Sequence, residues 1–125
     1  KIEISNSGND CVDFSSGNYN LKKLNLKHCG DKALSVGEKS FVKLEEINAD
    51  NASIGIASKD SSVVKLENAN LDSLNTCIAA YNKKQEYDGG IVEINNLSCS
   101  NFNERIKIDF YSKVLEKNKL VKNIK

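Results

Sequence analysis

The chain has 125 residues, enough for one domain with a substantial core. Its 18 Lys and Arg residues nearly balance its 17 Asp and Glu residues, and the net charge of +1 gives no support to nucleic-acid binding through phosphate neutralisation. No apolar run approaches the roughly 18 residues that a membrane-spanning helix requires, so we expect no membrane insertion.

A short apolar segment recurs along the chain, beginning within GNDCVDFSSG at residues 8–17. Its first apolar position recurs in steps of 22, 22, 22 and 28 residues, and a second apolar or small residue follows two positions later. The long last step indicates an insertion near residues 82–90, NKKQEYDGG. The paired positions are Val12/Phe14, Leu34/Val36, Ile56/Ser58, Ile78/Ala80 and Ile106/Ile108.

Two further sets of apolar-x-apolar segments repeat in the same register. One begins at Ile2 and Ile4 and recurs in steps of 22, 23, 22 and 28 residues. The other comprises Tyr19/Leu21, Val42/Leu44, Val64/Leu66 and Val92/Ile94. Alternation with period two indicates strands, and the fixed long period predicts a parallel β-solenoid of about five coils, each with three short strands. An antiparallel β-sandwich is the rival, but its hairpins favour Asn-Gly or Asp-Gly turns, and only Asp88-Gly89 is of this kind.

We assign residues 1–112 to the solenoid and residues 113–125, KVLEKNKLVKNIK, to a lysine-rich C-terminal cap or tail, where we expect the register to break. Lys1 is not a natural start, which predicts a fragment of a larger protein whose compartment the sequence leaves open. Exposed β edges at the ends of a solenoid would allow end-to-end or lateral self-association.

The phrases GNDCVDFSSG, GDKALSVGEKS, IGIASKDSS and CIAAYNKKQEY resemble the right-handed parallel β-helix repeats of the pectin-lyase-like superfamily. The resemblance covers residues 1 to about 112 and implies a right-handed solenoid from a bacterial protein that binds or processes polysaccharide. Asn9-Asp10-Cys11-Val12 and Arg105-Ile106-Lys107 also resemble polygalacturonase motifs. However, four coils separate them, roughly 19 Å at the strand spacing, which is too far for one active site.

The outward side chains of the small-residue strand form the candidate binding surface. Val12 and Phe14 are predicted to point inward and Cys11 and Asp13 outward. In later coils the outward column holds small side chains, which suggest a flat surface for a sugar or a partner protein. Tyrosines there would stack on a sugar ring, and lysines of the insertion would pair with an acidic group. The candidate ligand-binding residues are Asp10, Asp13, Lys32, Ser35, Lys59, Tyr81, Lys83, Lys84 and Tyr87.

Two functions remain open at this stage. The first is a non-catalytic module that acts as a scaffold or as a glycan- or protein-binding surface. The second is a fragment of a polysaccharide lyase or epimerase, with Asp13, Lys59 and Tyr81 as catalytic groups. Five coils with a single long loop favour the first. We expect no cofactor and no metal, since His28 is the only histidine and falls in a coil-corner column of Asn and Ser residues.

The four cysteines are predicted to be free thiols. Cys11 and Cys77 share one column but lie three coils apart, roughly 14 Å, which exceeds the Cα separation of a disulfide. Cys29 and Cys99 fall in columns of core hydrophobic residues. Four free thiols would favour a reducing compartment.

Overall fold

The computed structural model describes residues 1–122 and is built entirely from β-strands and their connections. The strands follow chain order in one sheet; every neighbouring pair up to β6 is parallel, and β6 and β7 are antiparallel. Consecutive coils stack on one another, which confirms the predicted parallel β-solenoid of about five turns and rules out the sandwich. The strands are β1 (Ile2–Ser7), β2 (Val12–Cys29), β3 (Lys32–Lys59), β4 (Val63–Tyr81), β5 (Ile91–Ile108), β6 (Lys113–Glu116) and β7 (Lys119–Leu120).

The strands are long because their ladders continue around the corners of each coil. Three faces are nevertheless distinct. Face A contains residues 2–5, 24–27, 47–50, 69–72 and 97–100; face B contains residues 11–15, 33–37, 55–59, 77–81 and 105–108; face C contains residues 18–21, 41–44, 63–66, 91–94 and 113–116. No helix occurs within residues 1–122, and so none is long and apolar enough to cross a membrane.

The register between coils is the one that the sequence predicts. Val12 is aligned with Leu34, a step of 22 residues, and Val63 is aligned with Ile91, a step of 28. The single step of 23 arises from a bulge between faces B and C, where the ladder shifts between Ser15 and Gly17. Each insertion therefore lies at a corner, where the inward columns of the core are not disturbed.

One corner column repeats a left-handed backbone conformation in every coil. His28 has φ of 53° and Asn51 has φ of 58°, and the other members are similar. Asn tolerates this region better than most residues because its short side chain can hydrogen-bond locally. The predicted corner role of this column is confirmed at Asn6, His28, Asn51, Ser73 and Asn101.

The core consists of inward columns of Leu, Ile and Val from all three faces. Leu24, Leu34, Ile47, Ile56 and Ile78 have no solvent exposure. Burial of each such side chain contributes about 1.5–3 kcal/mol, and each coil gains that burial only by stacking on its neighbours.

Outside the core, face A carries ladders of side-chain amides that run from coil to coil. Asn48 Nδ2 donates to Asn25 Oδ1 over 2.9 Å, and Asn70 Nδ2 donates to Asn48 Oδ1 over 2.9 Å. These residues are exposed or half-buried. The outer side of face A is thus a solvated surface that repeats one interaction.

The C-terminal end departs from the sequence prediction. Lys113 is aligned with Ile91 in the regular step of 22, and Val114 is fully buried, so the register does not break at residue 113 as expected. It ends after β6, where Lys117 and Asn118 both have positive φ, as in a type I′ hairpin. Residues 123–125 of the predicted cap or tail lie outside the described residues.

The prediction of four free thiols is wrong. Cys11 is bonded to Cys29 and Cys77 to Cys99, with Cα atoms 5.3 and 6.6 Å apart, and no free cysteine remains within residues 1–122. The prediction considered only cysteines that share a column, whereas each bond joins two columns across a corner of the coil. Cys29 is aligned with Ser7 of the preceding coil, and Cys11 follows Ser7 around that corner. Cys11 also packs against the core and does not point outward. The two bonds point away from a reducing compartment.

Candidate functional site

The predicted site residues fall on or beside the outer side of face B, but the floor of that surface differs from expectation. Ser35 and Ala57 have 0% exposure and Ala79 has 2%, although these residues alternate with inward core residues and therefore point outward. The small-residue column is not an open flat surface in the free chain, because other side chains cover it.

Lys59 covers Gly37, which lies in the next outward position of the same strand. A Cβ atom built at Gly37 would lie 3.0 Å from Lys59 Cε and 3.2 Å from Lys59 Cγ, so the lysine chain runs back over the preceding coil. Any larger residue at position 37 would displace it.

Lys32 approaches the same patch from the other side of the face. Its backbone N–H donates to Asp10 Oδ1 over 3.0 Å, and its ammonium donates to Asp31 Oδ2 over 2.8 Å and lies 3.9 Å from Asp10 Oδ1. Burial alone would lower the pKa of Lys32, but the hydrogen bond with Asp31 and the charges of Tyr81, Asp10 and Asp31 outweigh it and raise the pKa. Lys32 therefore stays charged and is held by carboxylates.

Two of the three candidate catalytic groups, Tyr81 and Lys59, have pKa values shifted in opposite directions. Burial raises the pKa of the Tyr81 phenol, although the charge of Lys32 opposes the shift. Burial lowers the pKa of Lys59, and the charges of Lys32 and Lys83 add to that effect more than Asp13 and Asp10 counter it. Lys59 is aligned with Tyr81 of the next coil, and the charge of Lys32 acts on the pKa values of both groups, so the three side chains belong to one patch.

The insertion between β4 and β5 is an ordered loop, because two carboxylates, one of them buried, and one amide hold its backbone. Asp60, only 1% exposed, accepts hydrogen bonds at Oδ1 from the backbone N–H groups of Lys83 and Lys84, over 2.7 and 2.8 Å. The backbone N–H of Asn82 donates a hydrogen bond to a second carboxylate, at Asp109 Oδ2, over 2.6 Å. The Asn82 amide donates in turn to three loop carbonyls, those of Lys84, Tyr87 and Asp88.

The loop side chains predicted to contact a ligand have two different environments: Lys84 and Tyr87 contact the solenoid, whereas Lys83 is exposed. Lys84 Nζ lies 3.0 Å from Glu38 Oε2 on the neighbouring corner, and Lys39 Nζ lies 6.0 Å from the centre of the Tyr87 ring. Lys84 and Tyr87 thus fasten the loop to the solenoid. The Lys83 side chain is exposed and forms no hydrogen bond or ion pair within residues 1–122.

An exposed aromatic pair borders this surface, and sequence reasoning missed it. Phe110 is 95% exposed and Tyr111 is 70% exposed, with ring centroids 5.7 Å apart in an edge-to-face arrangement. Asp109 fixes their turn, since its Oδ1 accepts hydrogen bonds from Tyr111 N over 3.0 Å and Ser112 Oγ over 2.7 Å. The signal in the sequence was two consecutive aromatic residues just after the last repeat.

An open cleft of about 420 Å³ lies between this turn and Tyr81. Its floor is apolar, and its rim carries amide, hydroxyl, ammonium and carboxylate groups. The lining residues are Ser53, Ile54, Asn75, Thr76, Ala79, Ala80, Tyr81, Lys107, Ile108 and Asp109.

Arg105, which resembled a second polygalacturonase motif, takes no part in the patch. Its guanidinium forms a bidentate pair with Glu116, with hydrogen bonds of 2.8 and 2.6 Å, at the C-terminal end of the solenoid. No group of three or more His, Cys, Asp or Glu side chains that could hold a metal ion occurs in the part of the chain that the structure describes.

Comparison of the chain with family models, with curated proteins and with solved structures found no match. The similarity to pectin-lyase-like repeats therefore depends on the coil phrases alone, and the site must be interpreted from its own chemistry.

Proposed function

We propose that the chain is a non-catalytic carbohydrate-binding module that presents face B to a polysaccharide strand. The observation that carries this proposal is that Lys59 and Tyr81 are aligned in neighbouring coils beside a buried small-residue floor, with the charge of Lys32 acting on both. Ligand sites typically combine an apolar floor with a few placed polar groups, and the adjoining cleft has that composition. The similarity of the coils to pectin-lyase-like repeats supports a sugar ligand over a partner protein.

The aromatic pair supplies a second contact of the kind that a sugar needs. A pyranose ring presents a face of C–H groups that packs on an aromatic ring, while its hydroxyl groups remain in water. Phe110 and Tyr111 offer such rings, and the Asp109 turn holds them in place before binding. A preordered contact loses less conformational entropy on association.

The electrostatics of the patch favour binding over proton abstraction. A general base must be able to release its proton near the working pH. The pKa of Tyr81 is raised by burial, and that of Lys32 is raised because the hydrogen bond with Asp31 and nearby negative charges outweigh its burial. Asp10 already accepts a hydrogen bond from the Lys32 backbone N–H, which makes it a poor general base.

One observation favours the alternative, a polysaccharide lyase or epimerase. The lowered pKa of Lys59 moves this amine toward the range in which it could accept a proton beside a sugar carboxylate, with Asp13 and Tyr81 as its neighbours. The two proposals differ in whether a bound polysaccharide is altered.

The deciding experiment measures binding and turnover on the same panel of neutral and acidic polysaccharides. Affinity electrophoresis reports binding, while ultraviolet absorbance of unsaturated products and NMR of the sugar report lyase and epimerase activity. We expect binding without any product, weakened about tenfold in Tyr111→Ala because an aromatic anchor is lost.

Leu120→Ala provides the matched control, since Leu120 is also an exposed apolar residue, at 57%, but lies in the hairpin strand β7. Equal weakening in this variant would remove the argument for the aromatic pair. Product formation that disappears in Lys59→Ala would establish the enzyme instead, and the absence of binding to every polysaccharide would overturn the carbohydrate proposal.

A further inference from the structure

Ser35 is the one buried side chain in residues 1–122 whose polar atom has no hydrogen-bond partner. The neighbouring buried serines are all satisfied: Ser40 Oγ donates to the Gly37 carbonyl over 2.6 Å, and the hydroxyls of Ser58 and Ser62 lie 2.7 Å apart. Buried hydroxyl groups are nearly always paired in folded proteins, so the exception requires an explanation. Ser35 differs from the others in belonging to the outward column of face B.

Lys59 is a second group without a partner on the same patch. Its ammonium forms no ion pair or hydrogen bond with any described residue, whereas Lys32 is paired with Asp31 and Lys84 with Glu38. The pKa of Lys59 is lowered chiefly by burial, the expected result for a desolvated cation without a close counter-ion.

The two unpaired groups occupy neighbouring positions of one face. The Lys59 chain crosses Gly37, and Gly37 is two residues beyond Ser35 in the same outward-facing row. A covered hydroxyl without an acceptor therefore lies two positions along the row from the glycine that the Lys59 chain crosses, and movement of this flexible chain would give an anion access to both groups. Both groups would be satisfied by an oxygen-bearing anion, because hydrogen bonds to an ionised acceptor are among the strongest in proteins.

We infer that Ser35 and Lys59 form a binding site for a compact oxyanion, a carboxylate or sulfate group, on face B. The exposed ammonium of Lys83 adds positive charge at the rim, and Asp10 is offset by Lys32. Asp13 is a nearby carboxylate that opposes an anion, whereas Glu38, which also lies within reach of the charge of Lys59, is paired with Lys84. The inference goes beyond the proposed function, since a free anion would bind here even if no polysaccharide did.

The test is a sulfate titration of the intact chain, with ionic strength held constant by sodium chloride and binding followed by backbone NMR shifts. We expect saturable binding with shifts at residues 35–37 and 57–59. Lys59→Met retains the methylene chain but removes the charge and should weaken sulfate binding at least tenfold, whereas Ser35→Ala should weaken it about threefold.

Two further variants separate a site from general charge effects and from unfolding. Asp13→Asn removes the opposing carboxylate and should tighten sulfate binding two- to threefold, which no loss of structure could produce. Lys43→Met removes an exposed lysine on face C and should leave binding unchanged. Absence of saturable binding, full affinity in Lys59→Met, or equal weakening in Lys43→Met would overturn the inference.

Competition identifies the source of the anion. Displacement of sulfate by glucuronate, but not by glucose, would support a site for the carboxylate of an acidic sugar. Sulfate binding that glucuronate cannot displace would support a site for a free inorganic anion. If neutral polysaccharides bind while sulfate and glucuronate do not, the oxyanion site fails and the carbohydrate proposal stands.

Discussion

Faces A and B are built on the same coil backbone, yet their outer surfaces have different character. On face A, Asn25, Asn48 and Asn70 repeat one amide hydrogen bond from coil to coil and remain largely solvated. On face B, Ser35 and Ala57 point outward but have no solvent exposure, and the Lys59 chain covers Gly37 next to them. A solenoid needs only its inward columns to maintain the stack, so an outward column that departs from simple repetition marks the surface available for function.

The two disulfides connect these faces at their shared corner. Cys11 and Cys77 belong to face B, Cys99 belongs to face A, and Cys29 lies at the corner two residues after face A. The largest effect should therefore come from disrupting this corner. Reduction of both bonds, which close loops of 18 and 22 residues, should destabilise the fold by about 3 kcal/mol each through the entropy of the unfolded chain.

Chemical denaturation with and without a reductant measures this effect, and thiol titration of the denatured protein counts the bonds directly. Equal stability under both conditions, or four titratable thiols before reduction, would contradict the pairing.

A smaller effect should distinguish the two faces from each other. Asp60→Ala removes a buried carboxylate that accepts two backbone hydrogen bonds from the face B loop, and we expect a loss of about 3 kcal/mol in the free energy of unfolding. Asn48→Ala interrupts the amide ladder of face A, where water can replace the lost partners, and should cost less than about 1 kcal/mol.

Urea unfolding of both variants tests the contrast, with Asp60→Asn as a control that preserves shape. If Asn48→Ala proves as destabilising as Asp60→Ala, the distinction between a solvated face and an organised face is lost.

The smallest effect should have the opposite sign. Because the pKa of Lys59 is lower in the folded chain than its ordinary value of 10.5, the charged amine disfavours folding at neutral pH, and this cost disappears as the pH rises above 10.5. Lys59→Met should raise the Tm at pH 7 by about 2 °C. Thermal unfolding monitored by circular dichroism tests this prediction. A lower Tm for Lys59→Met than for the unchanged chain would show that Lys59 stabilises the fold.

The sequence predicted the fold well because the solenoid depends on columns that are visible in the chain. Val12 and Leu34 are aligned in the regular step of 22, Val63 and Ile91 are aligned across the insertion, and the corner column with His28 recurs in every coil. The outer surface was harder to predict. The Lys59 side chain runs along the stack and lies over Gly37 of the preceding coil. A repeat pattern shows whether a side chain points inward or outward, but not where an outward side chain lies along the stack.

The disulfides were missed for a related geometric reason. Column spacing measures distance along the stack, but Cys11 and Cys29 meet diagonally across a corner. Phe110 and Tyr111 were missed because they follow the last repeat and therefore belong to no column. The function of the predicted site residues stays a prediction, with the chemistry of face B as its support.

The central claim is that face B binds ligand and face A supports the stack. Backbone NMR of the intact chain, titrated with a short oligogalacturonate, tests this most directly. We expect shift changes in residues 31–37, 57–60, 81–87 and 109–111, with residues 25–27, 48–50 and 70–72 unaffected. Changes centred on face A or face C, or no change at saturating oligosaccharide, would contradict it.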